Sequence, residues 1–171
     1  MLKLIGAVLI LLSGTLAGFH QAARFAARPK QIRELILAMQ RLETEISYGF
    51  TPLPDAFRKM SEQLGEPLRS IFRSAAIHMA SGGITAQESI QRSLNENWKR
   101  TAMKTPERDI LHQLSFTLGT SDRQDQIKHI ALAAQQLKHE EAVARDEQAK
   151  YEKISRSLGL LIGALIVILI F

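Results

Sequence analysis

The chain has no cysteine among its 171 residues. That excludes disulfides, thiolate metal sites and a cysteine nucleophile, and it says nothing of the compartment. Aromatic residues make up 6% of the sequence, with a single tryptophan. Phe57, Phe72, Trp98 and Phe116 fall at helical spacing and read as core, not as a platform for stacked bases. Metal-ligand spacing is lacking too. His20, His78, His112, His129 and His139 form no His-Glu-x-x-His or similar pattern, and Glu140 and Glu141 beside His139 read as a charged helix. There is no Gly-x-Ser-x-Gly elbow. Gly82-Gly83-Ile84-Thr85 lacks the lysine and spacing of a phosphate-binding loop. The expectation is a non-enzyme with no cofactor, no metal and no small-molecule substrate.

Long apolar runs are also missing from the middle and are gathered at the two ends. Leu4 to Phe19 follows a single charge, Lys3, and Leu158 to Phe171 has no polar side chain. A cleaved signal peptide is the rival reading of the first run, since Thr15 and Ala17 make a weak cleavage pattern. One lysine is a poor signal-peptide start, and helix-forming residues continue unbroken through Gln21 to Ala27. Retention as an anchor is therefore expected. The second run covers about 21 Å as a helix, or about 26 Å if Ser155 to Ser157 join it and Arg156 snorkels, against a hydrocarbon core of about 30 Å.

The net charge is +5, and its placement is informative. Arg24, Arg28, Lys30 and Arg33 follow the first run. Lys150, Lys153 and Arg156 precede the last. Both ends put the middle of the chain in the cytoplasm and both termini outside. Nucleic acid is the weaker account of these cations and is not expected as a partner.

Between the ends, apolar residues recur at helical spacing, and no stretch alternates like a strand. Ile32, Leu35, Ile36, Met39, Leu42 and Ile46 predict a helix from about Pro29 to Tyr48, stopped by Gly49. Thr51-Pro52 opens a short helix with Ala56, Phe57, Met60 and Leu64, ended by Gly65. Pro67 opens a third with Leu68, Ile71, Phe72, Ala75 and Met79, ended by Gly82-Gly83. Thr85 and Glu88 form a capping box for a fourth with Ile90, Leu94 and Trp98 on one face. Thr105-Pro106 caps a fifth with Ile110, Leu111, Leu114 and Leu118, ended by Gly119. A sixth begins at Ser121 to Gln124 and meets no Pro or Gly before Gly159. It carries Ile127, Ile130, Ala134 and Leu137.

The predicted fold is all-α: a six-helix antiparallel cytoplasmic bundle flanked by N- and C-terminal transmembrane helices. The expected division is 1–28, anchor and juxtamembrane segment; 29–137, bundle; 138–156, charged helical stalk; and 157–171, C-terminal membrane helix. The stalk, Lys138 to Lys153 at its centre, is polar nearly all round and reads either as a bridge through solvent or as one more solvated face.

Two features stand out from this background. Gly14 and Gly18, then Gly159 and Gly163, place Gly-x-x-x-Gly in each apolar run, a spacing that lets membrane helices approach closely. Asp122, Arg123 and Gln124 open the sixth helix. Ser121 and Gln124 suit a capping box, and Asp122 suits the helix dipole. Arg123 opposes that dipole, which marks it and its neighbours as candidates for contact with a partner.

Glu45-Ile46-Ser47-Tyr48-Gly49-Phe50-Thr51-Pro52-Leu53, Leu118-Gly119-Thr120-Ser121-Asp122-Arg123-Gln124 and Leu158-Gly159-Leu160-Leu161-Ile162-Gly163 resemble the stage III sporulation protein AB family of endospore-forming bacteria. Met1 to Ala7 is similar too. The resemblance implies a part in the channel-like apparatus joining mother cell and forespore. That family is also similar to the inner-membrane platform F proteins of type II secretion and type IV pilus systems. By that analogy the chain is a scaffold in the mother-cell membrane, partnered by other stage III proteins including a secretion-type ATPase, and by further copies of itself as a homo-oligomer. The alternative is a stand-alone membrane adaptor or signalling protein.

Overall fold

A computed structural model describes the backbone of residues 2–49 and 51–170, and the surroundings of residues 25–49 and 51–151 together with Ser13, Leu16, Ala23 and Ile154. Among the described residues there are six α-helices: α1 (Leu2–Tyr48), α2 (Leu53–Gln63), α3 (Leu68–Ala80), α4 (Ala86–Asn97), α5 (Thr105–Ser115) and α6 (Arg123–Ile170). A 3-10 turn, Trp98–Arg100, follows α4, and there is no strand among the described residues. The chain divides into two compact units, residues 30–141 and residues 1–29 with 142–171.

In residues 30–141 the predicted stripe on α1 is the centre of the core. Ile32, Leu35, Met39 and Leu42 are at most 1% exposed, and Ile36 and Ile46 are buried as well. Burying each such side chain contributes about 1.5–3 kcal/mol. Ala56, Phe57 and Met60 of α2, Leu68, Ile71, Phe72 and Ala75 of α3, and Ile90 and Leu94 of α4 are buried with them. So are Leu111 and Leu114 of α5 and Ile130, Ala134 and Leu137 of α6. The rings of Phe57 and Phe72 meet at 5.3 Å. An apolar cavity of about 20 Å³ is all that remains where Met39, Phe57, Phe72, Leu94 and Leu114 converge.

The caps follow the sequence at α4 and depart from it elsewhere. Glu88 N donates to Thr85 Oγ1 at 3.1 Å and Thr85 N donates to Glu88 Oε2 at 2.9 Å, the expected reciprocal box. At α5 the cap is Lys104, not Thr105, which is already helical. Glu107 is fully buried and its carboxylate accepts Lys104 N at 2.7 Å. Pro29 does not start a helix, because α1 runs through it. Proline removes one helix hydrogen bond, and the contacts of Phe25 with Tyr151 and Arg28 with Glu147 keep the residues ahead of it helical. Trp98 leaves the α4 face to begin the 3-10 turn and is half-buried. Phe116 is 49% exposed, edge-on to His112 at 5.2 Å.

In the other unit, α1 and α6 lie together. Arg28 is buried, and its Nη1 donates to Glu147 Oε2 at 2.6 Å. Phe25 stacks on Tyr151 at 5.6 Å. Ala144 is 1% exposed. Positions 144, 147 and 151 fall on one helical face, so the charged stretch presents a definite side to α1 in this unit. Among the described residues no helix is long and apolar enough to cross a membrane. The two apolar runs, apart from Ser13 and Leu16, lie outside the residues whose surroundings are described, and so do Gly14, Gly18, Gly159 and Gly163.

Candidate functional site

The end of α1 and the start of α2 form one wall of a small surface cleft. Ile46 is the last buried residue of the α1 stripe. Gly49 N donates to Glu45 O at 3.0 Å, closing the helix. A Cβ on Gly49 would stand 2.8 Å from Glu45 O and 2.9 Å from Thr51 Oγ1, so a side chain here would force the turn to shift. Thr51 Oγ1 donates to Glu45 Oε2 at 2.7 Å, and Lys59 Nζ donates to the same oxygen at 3.1 Å. The Thr51 hydroxyl first, and the Lys59 ammonium second, hold the Glu45 carboxyl below its usual range. This clamp fixes Thr51 and Leu53 beside Ile46.

The segment between α5 and α6 forms the other wall. After Ser115 the chain tightens through Thr117 N to Leu114 O at 3.1 Å, and Leu118 remains buried. Gly119 then takes φ +84°, the left-handed conformation expected of it. Its missing side chain also matters, because a Cβ there would sit 2.9 Å from Ala86 Cβ.

The cap of α6 is Asp122, and Ser121 does not take the role expected of it. Asp125 N donates to Asp122 Oδ1 at 2.9 Å, and Gln126 N donates to Asp122 O at 3.0 Å. A carboxylate at a helix N-terminus is favoured by both hydrogen bonding and the dipole, which a serine hydroxyl matches only in part. Arg123 is therefore the first residue of α6, and Gln126 Nε2 donates back to Ser121 O at 2.8 Å.

Ile46, Thr51, Leu53, Gly119, Arg123 and Gln126 line the resulting cleft, of about 240 Å³. Of the three residues predicted from sequence, Arg123 lines it, Asp122 positions Arg123 from the cap, and Gln124 is exposed next to them. Ile46, Leu53, Thr51 and Gln126 were not anticipated as site residues. Their only sequence signal was membership of the two motif blocks or adjacency to them. The cleft falls below the roughly 300 Å³ at which small-molecule pockets begin. One guanidinium, one amide and one hydroxyl over a two-residue apolar floor suit a side chain presented by another protein.

One other cluster has the residue types of catalysis. Ser74 Oγ donates to Glu96 Oε2 at 2.9 Å, His78 Nε2 lies 3.2 Å from that same oxygen and 3.2 Å from Ser74 Oγ, and Arg92 Nε donates to Glu96 Oε1 at 3.1 Å. A relay needs the base to meet the nucleophile with one ring nitrogen and the carboxylate with the other. Here one nitrogen meets both. The cluster ties α3 to α4, with the His78 ring, then Ser74 and Arg92, holding the Glu96 carboxyl low. Among the described residues no group of His, Asp and Glu could hold a metal ion.

The family description "Stage III sporulation protein AB" matches residues 3–171. The chain belongs to that family. It is 41% identical over 170 residues to stage III sporulation protein AB of Bacillus subtilis (strain 168), covering 99% of each chain. A solved structure of stage III sporulation protein AB (SpoIIIAB) superposes with a TM-score of 0.69 at 38% identity, over 72% of this chain and 98% of that one. Membership makes this a sporulation protein. Both internal sequence blocks that carried the resemblance, Glu45 to Leu53 and Leu118 to Gln124, contribute walls to the same cleft.

Proposed function

We propose that the chain is a membrane-anchored scaffold of the secretion-like channel apparatus between mother cell and forespore, and that the cleft at the α1–α2 and α5–α6 junctions is a docking point for another protein of that apparatus. The observation that carries this reading is the convergence of two distant sequence blocks on one exposed cleft. Backbone geometry, a carboxylate cap and a Glu45–Thr51–Lys59 clamp all serve to hold that surface still. A surface held in one geometry is what a scaffold requires.

The rest of the reading follows from sequence. The apolar runs at each end are its membrane helices, and the flanking Lys and Arg place the bundle in the cytoplasm of the mother cell with both termini outside. The paired Gly-x-x-x-Gly positions serve helix packing, within the chain, with a partner or in a homo-oligomer. A secretion-type ATPase is the proposed cytoplasmic partner, without nucleic acid or small-molecule substrate.

Affinity purification of the tagged full-length chain from sporulating cells, followed by mass spectrometry, tests this. Other membrane proteins of the apparatus and the ATPase are expected in stoichiometric amounts. Recovery of the chain alone, or with soluble regulators only, favours the adaptor alternative and contradicts the scaffold.

A further inference from the structure

A larger groove, of about 750 Å³, runs between α2 and α3 on the surface of residues 30–141. Arg58, Arg69 and Arg73 line it with Ala76, Ile77 and Ala80. Two carboxylates share the rim, Asp55 and Glu62. Asp55 is taken up by Arg58 at 2.9 Å, and Glu62 has no ion-pair partner among the described residues. The groove is thus cationic on balance.

Arg69 and Arg73 are the informative pair. Arg69 Nε donates to Leu64 O at 3.0 Å, which fixes the guanidinium and leaves its Nη edge available. Neither Arg69 nor Arg73 has a carboxylate partner among the described residues. They stand one turn apart on α3, a spacing of about 6 Å. One to two turns further on, the groove floor becomes apolar, and Ile77 is 59% exposed there.

We propose that this groove docks an acidic amphipathic helix from a partner protein, an inference that rests on the scaffold reading. Two carboxylates one turn apart on the incoming helix meet Arg69 and Arg73, each able to accept bidentately from a planar guanidinium. An apolar side chain further along the same face covers Ile77 against Ala76 and Ala80. A channel between two helices is the shape that receives a third. Phosphates of a nucleic acid would use the arginines but have no use for an apolar floor in line with them.

The test is charge reversal in the full-length chain in its sporulating host. The double variant Arg69→Glu/Arg73→Glu should lower heat-resistant spore counts by about tenfold or more, with the chain at normal abundance, because reversed charges at a docked interface repel. Arg69→Lys/Arg73→Lys keeps the charge but loses the bidentate fork, and its count should fall between those of the wild type and the reversed variant. Selection for restored sporulation should then return Glu or Asp to Lys or Arg changes in a helix of a second protein. Normal counts from the reversed variant overturn the proposal, as do suppressors confined to this chain or to lipid-synthesis functions. The outcome is separable from that of the scaffold reading. A wild-type chain that recovers its apparatus partners while the reversed variant sporulates normally removes the groove and leaves the scaffold in place. A wild-type chain that recovers no partners removes the scaffold itself.

Discussion

Gly119 packs so closely on Ala86 that a side chain at position 119 would force one of them to shift. A Cβ added there would lie 2.9 Å from Ala86 Cβ, at a φ of +84°. The backbone conformation alone costs an alanine about 1 kcal/mol, and the overlap adds about 1–2 kcal/mol if α4 must shift. Gly83 supplies the control, since it has φ +85° with nothing within 4 Å of its added Cβ. Thermal unfolding should show Gly119→Ala losing about 2–3 kcal/mol and Gly83→Ala about 1 kcal/mol. Equal losses would mean that the contact with α4 does not constrain the cleft.

Asp122 and Arg123 are neighbours with separable roles. Asp122→Ala removes the acceptor for Asp125 N and should cost about 1 kcal/mol, whereas Ser121→Ala should cost less than half of that. Arg123 is exposed, and contacts made by an exposed arginine stabilise by less than about 1 kcal/mol. Arg123→Ala should therefore shift the unfolding midpoint by less than about 4 °C, and by less than Asp122→Ala does, and still lower the spore count. A stability loss as large as that of Asp122→Ala, or a normal spore count, would assign Arg123 to folding alone or to nothing.

Acid should weaken the α1–α2 corner through Glu45. Its folded carboxyl is held below the ordinary value of 4.5, first by the Thr51 hydroxyl and then by Lys59. A depressed carboxyl stabilises the fold at pH above its unfolded value, and that contribution is lost as pH falls through the folded value. Thr51→Val should therefore lower the unfolding midpoint near neutral pH, and the gap to the wild type should close as pH falls below the ordinary carboxyl range and Glu45 protonates. The gap will be small, because Glu45 is open to solvent. A gap that widens on acidification has the wrong sign for this account.

Much of the bundle is legible in the residues. The stripe from Ile32 to Ile46 is the core, Thr85 and Glu88 form their box, and Gly119 takes its left-handed turn, because each depends on neighbours within a few positions. Pro29 and the α6 cap depart from local preference for one shared reason. A competing partner wins in each: the contacts of Phe25 and Arg28 ahead of Pro29 in the first case, the stronger acceptor at Asp122 in the second. The cleft itself could not be read. Helical periodicity says which face of α1 is buried, but not that Thr51 and Leu53 come to lie beside Gly119 and Arg123. The same limit hid the groove, since nothing along the chain places Arg58 across from Arg69 and Arg73.

Topology has its own test. Reporter fusions at residue 100 and after Phe171 should report opposite sides of the membrane, with residue 100 in the cytoplasm. In the same setting Gly14→Leu and Gly163→Leu should lower recovery of apparatus partners without loss of the chain. A residue-100 fusion active only outside the cytoplasm contradicts the proposed orientation, and two silent glycine variants contradict the packing role.

The central claim is that the cleft touches another protein of the apparatus, and crosslinking from within the folded chain measures that directly. A photoreactive phenylalanine analogue in place of Gln124, exposed beside Arg123, should give one discrete crosslinked product in sporulating cells, identified by mass spectrometry as an apparatus component. The same analogue in place of Gln40, exposed on α1, serves as the reference. The account predicts a product from position 124 that is absent from position 40 and is lost when Arg123→Ala is added. No product at 124, or the same products from both positions, would contradict it.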